Sequence, residues 1–283
     1  MKIVQFLIND DRVRVGVLDG ENVIDLNASD DTIPPSLVEF LAEGDALDRI
    51  QKVVSNPGKL HRLAEVQLLP PITRPDKVLG VALNYKEACD RGNIPYPAEP
   101  IVFSKFASTI IGPYDVVKKP LASEAVDWEV ELVVVIGKKA QNVRAENALD
   151  YVFGYTATQD LTAKDWITRN GGQMLLCKNM DNFCPLGPCV ITKDEIPDPH
   201  NIRVKTWVNG VLKQDGNTVE MVHRIHRIIE YLSRAMTLLP GDIICTGTPS
   251  GVGATQYPPQ YLQKGDLLES EVEKIGRMAN RIV

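Results

Sequence analysis

Three carboxylates carry the clearest chemical signal in this chain. Glu129 and Glu131 lie in the run Val126-Asp-Trp-Glu-Val-Glu-Leu-Val-Val-Val-Ile136, and Asp160 ends the run Phe153-Gly-Tyr-Thr-Ala-Thr-Gln159. Both runs read as strands. Side chains alternate faces along a strand, so Glu129 and Glu131 share a face about 6.6 Å apart. Acids held on rigid strands suit a hard, oxygen-loving cation such as Mg2+, with Mn2+ or Ca2+ as alternatives. Taken alone, the alternation of the glutamates with Val130 and Leu132 also fits an antiparallel strand with one face in water. Asp160 alone fits a helix N-cap.

Basic groups accompany the acids. Lys178 sits in Leu175-Leu-Cys-Lys-Asn-Met-Asp-Asn-Phe-Cys-Pro185, and Lys105 ends the apolar run Pro100-Ile-Val-Phe-Ser-Lys. A lysine in an apolar run is costly unless it is paired or functional, and a metal-stabilised enolate would pair with Lys178. Further along, Pro240-Gly-Asp-Ile-Ile-Cys245 reads as a strand leading into the glycine-rich turn Thr246-Gly-Thr-Pro-Ser-Gly-Val-Gly253. Such a turn offers backbone N–H groups and hydroxyls, here those of Gly247 and Thr248, to an anion. The spacing does not match G-x-x-x-x-G-K-S/T, and no lysine follows the last glycine, so a substrate carboxylate suits it better than a phosphate.

Histidine adds no second centre. His223 and His226 are three apart on a predicted helix, flanked by Arg224 and Arg227, without an H-E-x-x-H pattern, and read as a polar helix face. The five cysteines form no C-x-x-C pair, which argues against a zinc knuckle and for reduced thiols. A net charge of −6 and a pI of 5.4 give no basic stripe for nucleic acid. No apolar run reaches the length of a membrane span. The N-terminal Met-Lys-Ile-Val-Gln-Phe-Leu-Ile alternates like a strand rather than a signal or transit peptide. The expected compartment is the cytoplasm or the mitochondrial matrix.

The 283 residues, 44% of them hydrophobic, are enough for one large core with a small appended domain. Residues 3–8, 12–18 and 22–26 read as a β-meander with a turn at Gly20-Glu21, followed by a helix over 36–53. The joint Leu69-Pro-Pro-Ile-Thr-Arg-Pro-Asp76 places a boundary between a small N-terminal domain, 1–70, and a catalytic domain, 71–283. Strands are expected at 78–83, 101–104, 126–137, 153–159, 189–192, 202–208, 211–214, 242–246 and 268–274, with helices at 161–169 and 220–236. Asn209-Gly210 is a type I′ hairpin signal. Mixed strands at short spacing point to an α+β, mostly β fold: a mixed β-roll or sandwich rather than a βαβ stack.

The motifs together resemble the fumarylacetoacetate hydrolase family over essentially the full chain. The matching segments are Arg74-Pro-Asp-Lys-Val78, Asn84-Tyr85, Glu99-Pro-Ile-Val-Phe-Ser-Lys-Phe-Ala-Ser108, Val126-Asp-Trp-Glu-Val-Glu-Leu132, Pro185-Leu-Gly-Pro188 and Thr246-Gly-Thr-Pro-Ser-Gly-Val-Gly253. Within the family the chain resembles the fumarylacetoacetate hydrolase domain-containing proteins of the oxaloacetate tautomerase kind. The resemblance implies a homodimer that binds Mg2+ through Glu129, Glu131 and Asp160. It also implies an active-site lysine at Lys178 and substrate contacts from Tyr85, Lys105, Gly247 and Thr248. The implied substrate is a small β-keto or 2,4-dioxo acid that reacts through an enolate.

The chain departs from the family at its acid–base lid. Where the family carries a histidine and a glutamate after Asn-Tyr, this chain has Ala88 and Arg91. The family's Thr-Ala-Arg-Asp is Thr162-Ala-Lys164-Asp165, and a following glutamine is Ile167. Alanine is no base and arginine stays protonated. Keto–enol exchange needs only enolate stabilisation and one proton carrier, for which Lys178 and Lys164 are the candidates. C–C hydrolysis or decarboxylation would need a substitute base. A repurposed proton-transfer or cyclisation step, or a binding protein without turnover, are the other readings.

Overall fold

The computed structural model describes residues 1–8, 12–169 and 171–283. The fold is α+β and mostly β, as expected. Its main sheet runs in the spatial order Leu60–Arg62, Asn22–Asp25, Arg14–Asp19, Lys2–Leu7, Cys184–Thr192, Val152–Gln159, Val130–Ile136, Ile243–Cys245, Val78–Ala82 and Ile101–Lys105. Two short strands flank this path, Gln67–Leu69 beside Lys2–Leu7 and Ile110–Ile111 beside Cys184–Thr192. The sheet is mixed: Ile243–Cys245 pairs parallel with Val78–Ala82, while its pairing with Val130–Ile136 is antiparallel. The meander at the N-terminus joins this sheet where Lys2 and Ile3 pair with Ile191 and Val190.

Strand Val130–Ile136 lies deep in the sheet and is buried on both faces. Val130, Leu132, Val134 and Ile136 enter one core with Val204, Val272 and Met278 of a second sheet and Ile228, Ile229 and Leu232 of helix Ile225–Ala235. Val133 and Val135 enter a second core with Ile243, Cys245 and the apolar residues Leu37, Phe40 and Ile50 of the N-terminal helices. The second sheet has the order Val211–Asn217, Arg203–Val208, Leu267–Val272, Gly276–Arg281. Asn209 (φ 51°) and Gly210 (φ 77°) turn its hairpin with both φ angles positive, the geometry a type I′ turn requires.

The structure corrects several expected elements, each for a local reason. The helix over 36–53 is two helices, Leu37–Ala42 and Ala46–Ser55, broken where Gly44 takes φ +87°. The strand over 126–137 is interrupted: Val126–Asp127 pairs instead with Thr162–Ala163, and the main strand resumes at Val130. That pairing also delays the helix expected at 161–169, which starts at Lys164. The helix expected from 220 starts at Ile225, because Asn84 holds the preceding backbone. Its side chain accepts from His223 N at 2.8 Å and donates to His223 O at 3.0 Å, and its carbonyl takes Val222 N at 2.9 Å. All five cysteines are buried and free.

His200 caps the same helix from outside, its Nε2 accepting from Ile225 N at 3.2 Å. That bond needs a neutral ring. Burial, with His226 and Arg224 nearby, lowers its pKa to about 4. The unfolded chain therefore takes up a proton near the ordinary histidine pKa that the folded chain refuses until about 4. Stability from this residue is complete above that ordinary pKa and is lost as the pH falls towards 4. Between pH 7.5 and 4.5 the protein is expected to lose about 1–3 kcal/mol more than a His200→Gln variant. Urea unfolding at the two pH values measures the difference, and parallel losses would refute it.

Candidate active site

The interruption at Trp128-Glu129 and the end of Val152–Gln159 bring the three acids to one place. Ligand oxygens from Glu129, Glu131 and Asp160 lie within 4.8 Å of one another, and all three residues are buried. Two oxygens on opposite sides of one ion stand about 4.2 Å apart for Mg2+ and about 5 Å for Ca2+, from the usual bond lengths. Burial rules out the solvent-facing strand, and Asp160 caps no helix.

Lys178 ends the short helix Leu175–Lys178 and reaches between two of the acids. Its ammonium stands 2.8 Å from Glu129 Oε2 and also donates to Asp160 Oδ2. Phe103 covers it with a ring face 4.7 Å away. Lys164 pairs with Glu129 Oε1 and lies 3.9 Å from Asp127 Oδ2. Burial opposes the charge on both lysines, but the surrounding carboxylates outweigh it and raise both pKa values. Burial likewise opposes ionisation of Glu129, yet Lys164 and Lys178 hold its pKa down at about 2.

Glu131 is in the opposite position. Among the described residues its carboxylate has no ion-pair partner, and Gly247 N donates to its Oε2 at 2.7 Å. Burial and the neighbouring Asp160 push its pKa well up. Asp160 Oδ1 is buried without a hydrogen-bond partner among the described residues, its one close cation being Lys105 Nζ at 2.8 Å. Asp127, Glu129, Glu131 and Asp160 thus face Lys105, Lys164 and Lys178, four acids against three lysines. The donor set, and a fourth acid that burial and Asp160 keep from ionising without a further cation, fit a divalent cation.

Lys105 is buried beneath Asp160, with Nζ donating to Lys178 O at 2.6 Å. Tyr85 is also buried, its hydroxyl without a hydrogen-bond partner among the described residues; burial and Glu131 raise its pKa. Neither is among the described residues lining the cavity that opens over the acids. That cavity, about 410 Å³, is floored by Glu129, Glu131, Lys164, Lys178 and Thr248. Most of its remaining wall is apolar, including Val81, Leu83, Ile94, Ile101, Phe103 and Met174. Ala88, Arg91, Lys164 and Ile167, the four positions where the chain departs from the pattern the resemblance implies, all line it. Arg91 pairs with Glu87 at 2.7 Å on the exposed side of helix Lys86–Arg91.

The glycine-rich turn binds anions, and they are the protein's own. Gly247 N takes Glu131, while Gly253 N and Ala254 N take Asp127 at 2.6 and 2.9 Å. Gly247 has φ +98°, and a Cβ there would meet Asn84 Cβ at 2.8 Å, so only glycine presents this N–H. Asp127 was not singled out from the sequence, although it sits in the same motif as the glutamates. Its anchoring role depends on a loop more than 120 residues away. Burial, opposed by Lys164, places its pKa at about 6.

A family model described as the fumarylacetoacetate hydrolase C-terminal domain matches residues 77–283. Oxaloacetate tautomerase FAHD2B, mitochondrial, from Bos taurus is 48% identical over 266 residues, covering 93% of this chain and 85% of the relative. A fumarylacetoacetate hydrolase domain-containing protein 2 homolog from Dictyostelium discoideum is 39% identical over 298 residues, covering 100% and 97%. Among solved structures, a fumarylacetoacetate hydrolase from Exiguobacterium antarcticum superposes with a TM-score of 0.88 at 36% identity, covering 100% of this chain and 99% of that one. A maleylpyruvate hydrolase from Sphingobium sp. SYK-6, in complex with manganese(II) and pyruvate, gives 0.82 at 29% identity, covering 100% and 99%.

Proposed function

The chain belongs to the fumarylacetoacetate hydrolase family, and on that premise we propose that it is a metal-dependent keto–enol tautomerase of a small oxo acid, with oxaloacetate as substrate. One observation carries the reading. Glu129 and Glu131, with Asp160 buried beside them, and the buried Lys178 share a cavity with Ala88 and Arg91, which stand where the family resemblance implies a lid histidine and glutamate. The tautomerase names of the relatives support the choice of substrate, and their mitochondrial location supports the matrix. A homodimer, as the family resemblance implies, is part of the same reading.

Glu129, Glu131 and Asp160 would hold Mg2+, with Mn2+ or Ca2+ as alternatives. When bound, the ion supplies Lewis-acid stabilisation of charge developing on the keto oxygen. The chain's own residues manage the proton. Converting enol to keto places one proton on C3 and removes one from the C2 hydroxyl. Lys178 and Lys164 are held charged by their carboxylates, so either enters as a proton donor. The ammonium that protonates C3 becomes the amine that takes the hydroxyl proton, so one lysine closes the cycle. We assign this to Lys178, with Lys164 holding Glu129 in place and Lys105 holding Asp160. Tyr85 backs Glu131.

C–C hydrolysis needs a water activated in place. Ala88 has no group to activate it, and loss of a general base costs roughly 10²–10⁴-fold. The apolar wall adds no substitute. Enol-oxaloacetate conversion should therefore be accelerated by the Mg2+-loaded protein, abolished by EDTA and restored by Mg2+, with acetylpyruvate left uncleaved. Ultraviolet absorbance follows both reactions. A rate indifferent to metal, or acetylpyruvate cleavage faster than tautomerisation, would overturn the assignment.

A further inference from the structure

A chain of buried hydrogen bonds ends at Thr248, and the backbone fixes the direction of every link. Val130 N–H can only donate, so the Gln214 amide atom 3.2 Å from it is Oε1. Pro249 O can only accept, so the amide atom 3.0 Å from it is Nε2. The same Nε2 donates to Thr248 Oγ1 at 2.7 Å, and the Thr248 hydroxyl in turn donates to Val130 O at 2.9 Å. Upstream, Glu129 N–H donates to Gln159 Oε1 at 2.7 Å, which leaves Gln159 Nε2 to donate to Thr206 Oγ1 at 3.0 Å and Ser270 Oγ at 2.8 Å. Thr206 then donates to Gln214 Oε1 at 2.9 Å. Gln159, Thr206, Ser270 and Gln214 are at most 1% exposed, so water does not compete for these partners.

A hydroxyl has one proton and two lone pairs. At Thr248 the proton and one lone pair are committed within the protein. Turning the proton towards the cavity would strip the strand carbonyl of Val130 of its donor. We infer that Thr248, which lines the cavity, meets a ligand only as a hydrogen-bond acceptor, and that the donor it takes is the enol hydroxyl of the bound substrate, whose proton points to Thr248 until C3 is protonated and the Lys178 amine takes it. A carboxylate or keto oxygen only accepts and gains nothing from it. Gln214 and Gln159 are the positioning residues behind this polarity. Naming the donor as an enol rests on the tautomerase reading; the acceptor polarity rests on the hydrogen bonds alone.

Two non-reacting probes separate donor from acceptor. Malate carries a C2 hydroxyl, and 2-methoxysuccinate carries the same oxygen without its proton; a cavity of about 410 Å³ has room for the added methyl. By isothermal titration of the Mg2+-loaded protein, malate should bind about tenfold more tightly, the value of one hydrogen bond. Thr248→Val should bring malate down to the level of the ether and leave the ether within about twofold, and Thr248→Ser should restore the preference. Equal affinity of the two probes for the wild-type protein would overturn the inference, as would equal weakening of both by Thr248→Val. Should the valine variant not fold, the wild-type and serine proteins decide the matter between them. The oxaloacetate assay is independent: a protein that prefers malate but does not interconvert the tautomers refutes the function and keeps the acceptor site.

Discussion

Lys178→Met is expected to destabilise the metal-free protein by about 3 kcal/mol and to lower tautomerase activity roughly 10²–10⁴-fold. Lys178 is only 4% exposed, and its ammonium joins Glu129 to Asp160. Methionine keeps the length and apolar body of the side chain, so packing against Phe103 is conserved and the loss is one of charge. Glu129 keeps Lys164 and Asp160 keeps Lys105, which holds the cost below that of two stranded carboxylates. Mg2+ should return much of the stability, because an ion that binds only the folded state at about a hundred times its Kd contributes about 2.7 kcal/mol. Activity should stay low, since the proton carrier is gone. Urea unfolding with and without Mg2+, beside the oxaloacetate assay, measures both. A variant that is active once loaded with Mg2+ would remove Lys178 from the mechanism.

Glu131→Gln should show the opposite pattern. Glu131 is 1% exposed and, among the described residues, has no ion pair, only the Gly247 N–H. Burial and Asp160 push its pKa well up, so ionising it is costly in the metal-free protein, a cost that a cation would relieve. Glutamine keeps the shape and can still accept from Gly247, so the metal-free variant is expected to match or exceed the parent in stability by about 1 kcal/mol. Stabilisation by Mg2+ should weaken strongly. Activity should fall at least roughly 100-fold, since losing even a residue that only supports a metal ligand costs about 10–100-fold. Unfolding curves across a Mg2+ titration give both quantities. Unchanged stabilisation by Mg2+ would exclude Glu131 as a ligand. The two variants together separate a buried lysine that compensates charge from a buried acid that lacks compensation.

The strands beside the acids were legible in local pattern, since Val130–Ile136 and Val152–Gln159 are rich in β-branched, aromatic and small residues, with the carboxylates at or next to their ends. The breaks were not. The helix after Met221 starts late because Asn84, 139 residues earlier, holds His223. The strand expected over 126–137 breaks at Trp128-Glu129 because Val126–Asp127 pairs with Thr162–Ala163. Local propensity carries no information about a partner so far along the chain.

The sequence by itself determined which residue types carry the proposed chemistry: carboxylates suited to a hard cation, lysines among apolar residues as the proposed proton carrier, alanine and arginine where the family resemblance implies a histidine and a glutamate. It also determined which strands carry these groups, because alternation and apolar runs are local properties. Only the tertiary structure decided how the groups divide the work. It committed the amides of the glycine-rich turn to Glu131 and Asp127, left Glu131 without an ion pair among the described residues, and directed the Thr248 proton to Val130 O. The reason is physical: a hydrogen bond or a buried charge is satisfied by whatever the folded chain brings within about 3 Å, and that neighbour is set by packing rather than by sequence distance.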